Sequence, residues 1–123
     1  MTKILIVEDN ELNLELIQDI LERNEYQWIS AKSGNEAATA ATEHEIDLIL
    51  MDLQLPDMDG FQILNKIRES LGKQTPPTVA VTGNAMEADK RRCLDSGFTG
   101  FLRKPFRIHN LLQVIEENLE TQS

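Results

Sequence analysis

Two runs of this chain contain no polar residue: Ile4-Leu5-Ile6-Val7 and Leu48-Ile49-Leu50-Met51. A strand with one face in water alternates apolar and polar residues. An unbroken apolar run between turn-forming residues therefore marks a strand buried on both faces, as inside a parallel sheet covered by helices. The rest of the chain fits that demand by switching repeatedly between strand and helix periods. Asn10 or Glu11 opens a helix with Leu14, Ile17, Ile20 and Leu21 at helical spacing, ending near Asn24. Tyr26 to Ala31 is a mixed strand nearer an edge. Ser33 caps a second helix, where Ser33-Gly34-Asn35-Glu36 matches a capping box. Ile46 to Met51 is the third strand. Asp59-Gly60 leads into a helix with Phe61, Leu64, Ile67, Arg68 and Leu71 on one side. Gly72 to Pro77 is a polar connection and Thr78 to Val81 the fourth strand. Ala85 to Ser96 is a polar helix stopped by Gly97. Phe98 to Leu102 is the fifth strand, broken by Lys104-Pro105. Ile108 to Leu119 is the last helix, with Leu111, Leu112, Ile115 and Leu119 apolar. Five strands alternating with five helices predict an α/β fold with a doubly wound parallel sheet.

In such a sheet the C-terminal strand tips share one edge, the edge at which open α/β folds bind ligands. Four features fall there: Glu8-Asp9, Asp52, Thr82-Gly83 and Lys104-Pro105. Converging carboxylates repel one another unless a cation intervenes. Hard oxygen ligands favour Mg²⁺, which takes few protein carboxylates, keeps waters and bridges to phosphate. Lys104 adds a movable cation and Thr82 a hydroxyl. Together they suit a phosphoryl group, whose oxygens need metal, ammonium and hydroxyl around them.

The totals narrow the partners. The 123 residues make one domain, with 41% hydrophobic and 27% charged residues. A net charge of -9 repels a nucleic acid backbone, so direct DNA or RNA binding is not expected. No apolar stretch reaches the roughly 18 residues that span a membrane, so no insertion is expected. A single cysteine, Cys93, rules out an internal disulfide and makes a reducing cytoplasm the expected location.

These motifs together resemble the receiver domain of two-component response regulators, over essentially the whole chain. The pattern is the acidic pair Glu8-Asp9, then Met51-Asp52-Leu53-Gln54-Leu55-Pro56-Asp57-Met58-Asp59-Gly60, then Thr82-Gly83 and Lys104-Pro105. The resemblance implies a flavodoxin-like or CheY-like (βα)5 domain with strand order 2-1-3-4-5, spanning residues 1–123 with no separate output domain. It implies that Asp52 accepts a phosphoryl group from a phosphohistidine of a sensor kinase or a histidine phosphotransfer protein. Glu8, Asp9 and Asp52, with the Gln54 backbone carbonyl, would hold Mg²⁺. Lys104 would pair with phosphoryl oxygens, Thr82 would donate to one, and Phe101 would be the switch aromatic. Output would then pass through protein contacts on the fourth helix, fifth strand and fifth helix. Gln54 and Asn84 stand at variable positions that shape access of hydrolytic water, and Phe101 lacks the hydroxyl of the commoner tyrosine.

Other residues read more plainly. Asp59 caps the third helix and Asp57 shares its loop. Cys93 reads as a small filler, and His44 and His109 have no metal-ligand spacing. Leu12 and Leu16 lie off the main apolar stripe of the first helix, as half-buried flank or as a docking face for a histidine-bearing helical partner. Among rival functions, an Mg²⁺-dependent aspartyl-phosphate phosphatase would want an acid two residues past the nucleophile, where Gln54 stands. A flavodoxin-like cofactor carrier would want a Gly-rich loop where Glu8-Asp9 stand. A receiver cut from a hybrid kinase is a further alternative, and Met1-Thr2-Lys3 with the polar tail favours a freestanding chain.

Overall fold

The computed structural model describes residues 2–83 and 87–120, apart from the side chains of residues 87–89 and 120. Its elements are β1 Lys3–Val7, α1 Glu11–Arg23, β2 Gln27–Ala31, α2 Gly34–Glu43, β3 Leu48–Asp52 and α3 Gly60–Leu71. A 3-10 turn at Gly72–Gln74 leads to β4 Thr78–Thr82, α4 Glu87–Asp95, β5 Gly100–Arg103 and α5 Ile108–Glu120. The strands form one parallel sheet in the order β2-β1-β3-β4-β5. The expected α/β architecture and strand order are both present.

The unbroken apolar runs follow from the two-sided cover. Leu5, Val7, Ile49, Met51 and Ala80 point into one core, against Ala37 and Ala41 of α2, Ile63, Leu64 and Ile67 of α3, and Cys93 of α4. Their neighbours Ile4, Ile6, Leu48, Leu50, Val79 and Val81 point into the other, against Leu14, Ile17, Ile20 and Leu21 of α1 and Leu111 and Ile115 of α5. Each fully buried aliphatic side chain contributes about 1.5–3 kcal/mol over an exposed one. β2 lies at the sheet edge, and its Gln27, Trp28 and Ser30 are exposed.

Helix ends follow the local chemistry. Asn10 caps α1 by accepting from the Asn13 N–H at 3.0 Å. α1 closes in a Schellman motif, with Tyr26 N–H to Leu21 O at 3.0 Å and Glu25 N–H to Glu22 O at 3.2 Å. That geometry puts Glu25 at φ 64, in the left-handed region where a side chain is strained. α4 closes the same way around Gly97 at φ 102, with Phe98 N–H to Cys93 O at 3.0 Å.

Several expectations are corrected. Phe98 is not in β5: its N–H closes α4, its ring is buried, and the ladder begins at Gly100 opposite Val79. β3 starts at Leu48, because Asp47 is occupied with Lys3 through its own N–H and its carboxylate, and it extends through Asp52, paired with Val81. On α3 the fully buried face includes Ile63, whereas Arg68 is exposed and donates to the Ser96 carbonyl at 2.9 Å. On α5 the buried position beside Leu111 and Ile115 is Asn118, while Leu112 and Leu119 are half-buried. Ser33 does cap α2, accepting from Glu36 N–H at 3.2 Å, but the Glu36 carboxylate takes the Lys32 N–H instead of closing the box. The complete capping box belongs to Asp59 and Gln62 at the start of α3. The start of the fourth helix at Ala85, and Asn84, lie outside the described residues.

Candidate metal and phosphoryl site

The C-terminal sheet edge gathers the residues that the strand tips suggested. Glu8 and Asp9 follow β1, Asp52 ends β3, Thr82 ends β4 and Lys104 follows β5. Carboxylate oxygens of Glu8, Asp9 and Asp52 lie within 4.8 Å of one another. Glu8 is 2% exposed, Asp52 half-buried and Asp9 open to solvent. The Lys104 ammonium donates to Glu8 Oε1 at 2.6 Å and to Asp52 Oδ2 at 3.4 Å. The other Asp52 oxygen, Oδ1, accepts the Gln54 N–H at 3.0 Å. Lys104 is itself fixed by its backbone N–H, which donates to the Thr82 carbonyl at 2.8 Å. The Lys104-Pro105 peptide bond is cis. Thr82 is buried, one residue beyond the partner of Asp52 in the β3–β4 register.

The electrostatics follow from crowding. Burial, reinforced by the nearby Asp52 carboxylate, holds the Glu8 carboxyl above its ordinary range, and Lys104 offsets only part of this. Burial pulls the Lys104 ammonium down, but the hydrogen bond to Glu8 and the charges of Asp52 and Glu8 outweigh it and hold it above its ordinary value. Three clustered oxygen donors, with the most buried of them reluctant to ionise, fit a hard divalent cation such as Mg²⁺. A cation there relieves the repulsion that Lys104 alone only partly relieves.

The loop after Asp52 is closed by Gly60 N–H to Leu53 O at 3.0 Å and by a bridge between Gln54 and Asp59. Asp57 leaves this loop to meet the start of α2, accepting Gly34 N–H at 2.7 Å and Asn35 N–H at 3.2 Å. The Gly34 bond leads the causes that hold its carboxyl below the usual range. Sequence reasoning placed Asp57 in the loop without a partner. Its spacing carries no mark of a contact 23 residues back in the chain.

The structure does not bring the other candidates into this cluster. Phe101 is half-buried and packs against the core beneath α2, α3 and α4. Cys93 is fully buried, as a filler would be. His44 and His109 are exposed, and the acidic trio is the only group of potential metal ligands among the described residues. Leu12 is 78% exposed, so the half-buried flank reading fails for it, while Leu16 is 47% exposed. Near them, across the site rim, Lys32 Nζ pairs with Glu11 at 2.9 Å. One contact that the sequence left unmarked is aromatic: Phe61 meets Phe98 edge-on at 5.7 Å, and the Arg92 guanidinium stacks 3.9 Å from the Phe61 ring.

Residues 4–116 match the model of the response regulator receiver domain. The chain belongs to that family. It is 38% identical over 120 residues to the polar-differentiation response regulator DivK of Brucella ovis, covering 97% of this chain and 98% of that protein. Its fold is similar to the receiver domain of the sensor histidine kinase PA1611 from Pseudomonas aeruginosa, at 32% identity and TM-score 0.88, covering 97% and 98% of the two chains. That structure has a magnesium ion coordinated in its active-site cleft. It is also similar, at 32% identity, TM-score 0.91 and coverage of 98% and 90%, to the Saccharomyces cerevisiae Ssk1 receiver domain, crystallised with the histidine phosphotransfer protein Ypd1. The receiver domain is a signalling unit of two-component systems, and this chain is one. Among the described residues no helix is long and apolar enough to cross a membrane.

Proposed function

We propose that this receiver domain acts as a single-domain regulator, taking a phosphoryl group onto Asp52 from a phosphohistidine. The observation that carries the reading is the Lys104 ammonium, which bridges Glu8 and Asp52 at the rim of a three-carboxylate cluster. A carboxylate oxygen of Asp52 attacks phosphorus, the P–N bond to the donor imidazole breaks, and that electron pair stays on the imidazole nitrogen. The product is an acyl phosphate on Asp52. Glu8, Asp9, Asp52 and the Gln54 backbone carbonyl would hold Mg²⁺, which supplies positive charge for the phosphoryl oxygens when bound. Lys104 leaves its bridge to pair with those oxygens, and the Thr82 hydroxyl donates to one of them.

Recruitment of Thr82 then makes room for Phe101 to turn inward, and α4, β5 and α5 present an altered surface to a downstream protein. The domain catalyses only its own phosphorylation and dephosphorylation, because Gln54 offers no acid or base where a phosphatase needs one. Exposed Leu12 and Leu16 would seat a helix of the histidine-bearing partner, a sensor kinase or a phosphotransfer protein, in the cytoplasm. The yeast relative's complex with a phosphotransfer protein supports that class of donor. Transfer of labelled phosphate from a phosphorylated histidine phosphotransfer domain tests the proposal. Label should reach the parent protein in Mg²⁺ and not after chelation, and transfer that ignores chelation would overturn it.

A further inference from the structure

The loop of residues 53–59 carries Gln54, whose carbonyl the proposed function assigns to the metal and whose N–H donates to Asp52 Oδ1 at 3.0 Å. Within it, the Gln54–Asp59 bridge and the Gly60 to Leu53 bond set its curvature. Leu53 and Leu55 pack on the core and Asp59 caps α3, while two consecutive side chains tie the loop to α2. Asp57 accepts the Gly34 and Asn35 N–H groups at the N-terminus of α2, at 2.7 and 3.2 Å. Met58 packs on buried Gly34, where any Cβ would collide with its Cγ and Sδ. The same helix start is tied to α3 by Lys66 Nζ, which donates to Asn35 Oδ1 at 3.1 Å. The amides of Gly34 and Asn35 belong to the first turn of α2, where backbone donors have no partner within the helix. Asp57 thus satisfies two orphan donors and, in the same contact, ties the loop to the start of α2.

From this geometry we infer that Asp57 is a positioning residue for the metal site, holding the Gln54 backbone beside Asp52 by anchoring its loop to α2. The inference rests on the reading of Glu8, Asp9, Asp52 and Gln54 as metal ligands. A group that orients a ligand from outside the coordination sphere typically changes metal affinity by about 10–100-fold. Asp57 also carries a charge, so charge and position must be separated. Asparagine removes the charge but keeps an acceptor oxygen for Gly34 N–H, and it ranks with aspartate at helix N-termini. Alanine removes both.

Titration calorimetry with MgCl₂ on the parent, Asp57→Asn and Asp57→Ala makes the test. Mg²⁺ affinity should fall about tenfold in Asp57→Ala and stay within about threefold of the parent in Asp57→Asn. Equal losses in both variants would assign the effect to charge and overturn the positioning role. Affinity unchanged in a folded Asp57→Ala would do the same. Hydrogen exchange on the parent guards against a variant that fails to fold: Mg²⁺ should slow exchange of the Gly34 and Asn35 amides, and unchanged rates overturn the coupling. Asp52→Asn separates this from the site reading. If Asp52→Asn binds Mg²⁺ as the parent does, the metal assignment itself falls.

Discussion

Replacing Lys104 with methionine keeps most of the side-chain stem and removes the charge that joins β5 to the acidic cluster. In the parent its ammonium lies 2.6 Å from Glu8 and 3.4 Å from Asp52, with the three side chains 19%, 3% and 12% exposed. Breaking a buried pair from one side costs about 3–5 kcal/mol, because the remaining charge is left without a partner. Two features reduce that figure here. Lys104 is partly solvated, and Glu8 can take up a proton, each unit of pKa rise being worth about 1.4 kcal/mol. A loss of about 2–3 kcal/mol follows, or roughly 6–12 °C in Tm for a domain of this size.

The pH dependence has a definite sign. Glu8 sits above its ordinary 4.5, so the folded state holds its proton more tightly than the unfolded chain does. The associated stability is fully present below 4.5 and is lost as pH rises through the folded value. Removing Lys104 raises that value further. The deficit of Lys104→Met should therefore be largest at neutral pH and shrink as pH falls toward the range just above 4.5. Mg²⁺ supplies the missing positive charge, so the Tm gain at saturating Mg²⁺ should be larger in the variant than in the parent. Thermal melts at pH 5 to 8, in chelator and in MgCl₂, read all of this. A variant melting within about 1 °C of the parent at neutral pH in chelator would refute the assignment of Lys104 as the cluster's counter-charge.

Three further outcomes are expected. Glu25→Gly should raise stability by about 1 kcal/mol in denaturant melts, because φ 64 is strained for glutamate and free for glycine. Leu12→Glu should slow phosphotransfer from a histidine phosphotransfer protein while sparing labelling by a small phosphodonor, and equal loss in both assays would remove the docking role. Gly97→Ala should destabilise by more than about 1 kcal/mol, since φ 102 disfavours a side chain and the Arg68 guanidinium fills the space a Cβ would take.

The sheet was legible because burial on both faces leaves an unmistakable trace: Ile4 to Val7 and Leu48 to Met51 cannot alternate if both faces are covered. The site was legible as a cluster because acids, hydroxyl and lysine each stand at a strand tip, and a parallel sheet carries those tips to one edge. What escaped was set by contacts between residues distant in the chain. Asp57 looks like any loop aspartate until α2 offers it two free amides. Arg68 sits in an apolar stripe by spacing, yet its head leaves the stripe for the C-terminal end of α4. Phe98 follows a glycine and precedes a strand, and only the Schellman bond to Cys93 shows which element claims it. Asn118 is polar in sequence and buried in the fold because Thr99 and the Val114 carbonyl satisfy its amide.

The most direct test of the account is to locate the phosphoryl group after incubation with acetyl phosphate and Mg²⁺. Mass spectrometry of the parent, Asp52→Asn and Asp9→Asn would be compared. The account predicts one acyl phosphate, on Asp52, absent from Asp52→Asn and strongly reduced in Asp9→Asn, with both variants folded. Phosphorylation that persists in Asp52→Asn, or that maps to another residue of the parent, would contradict it.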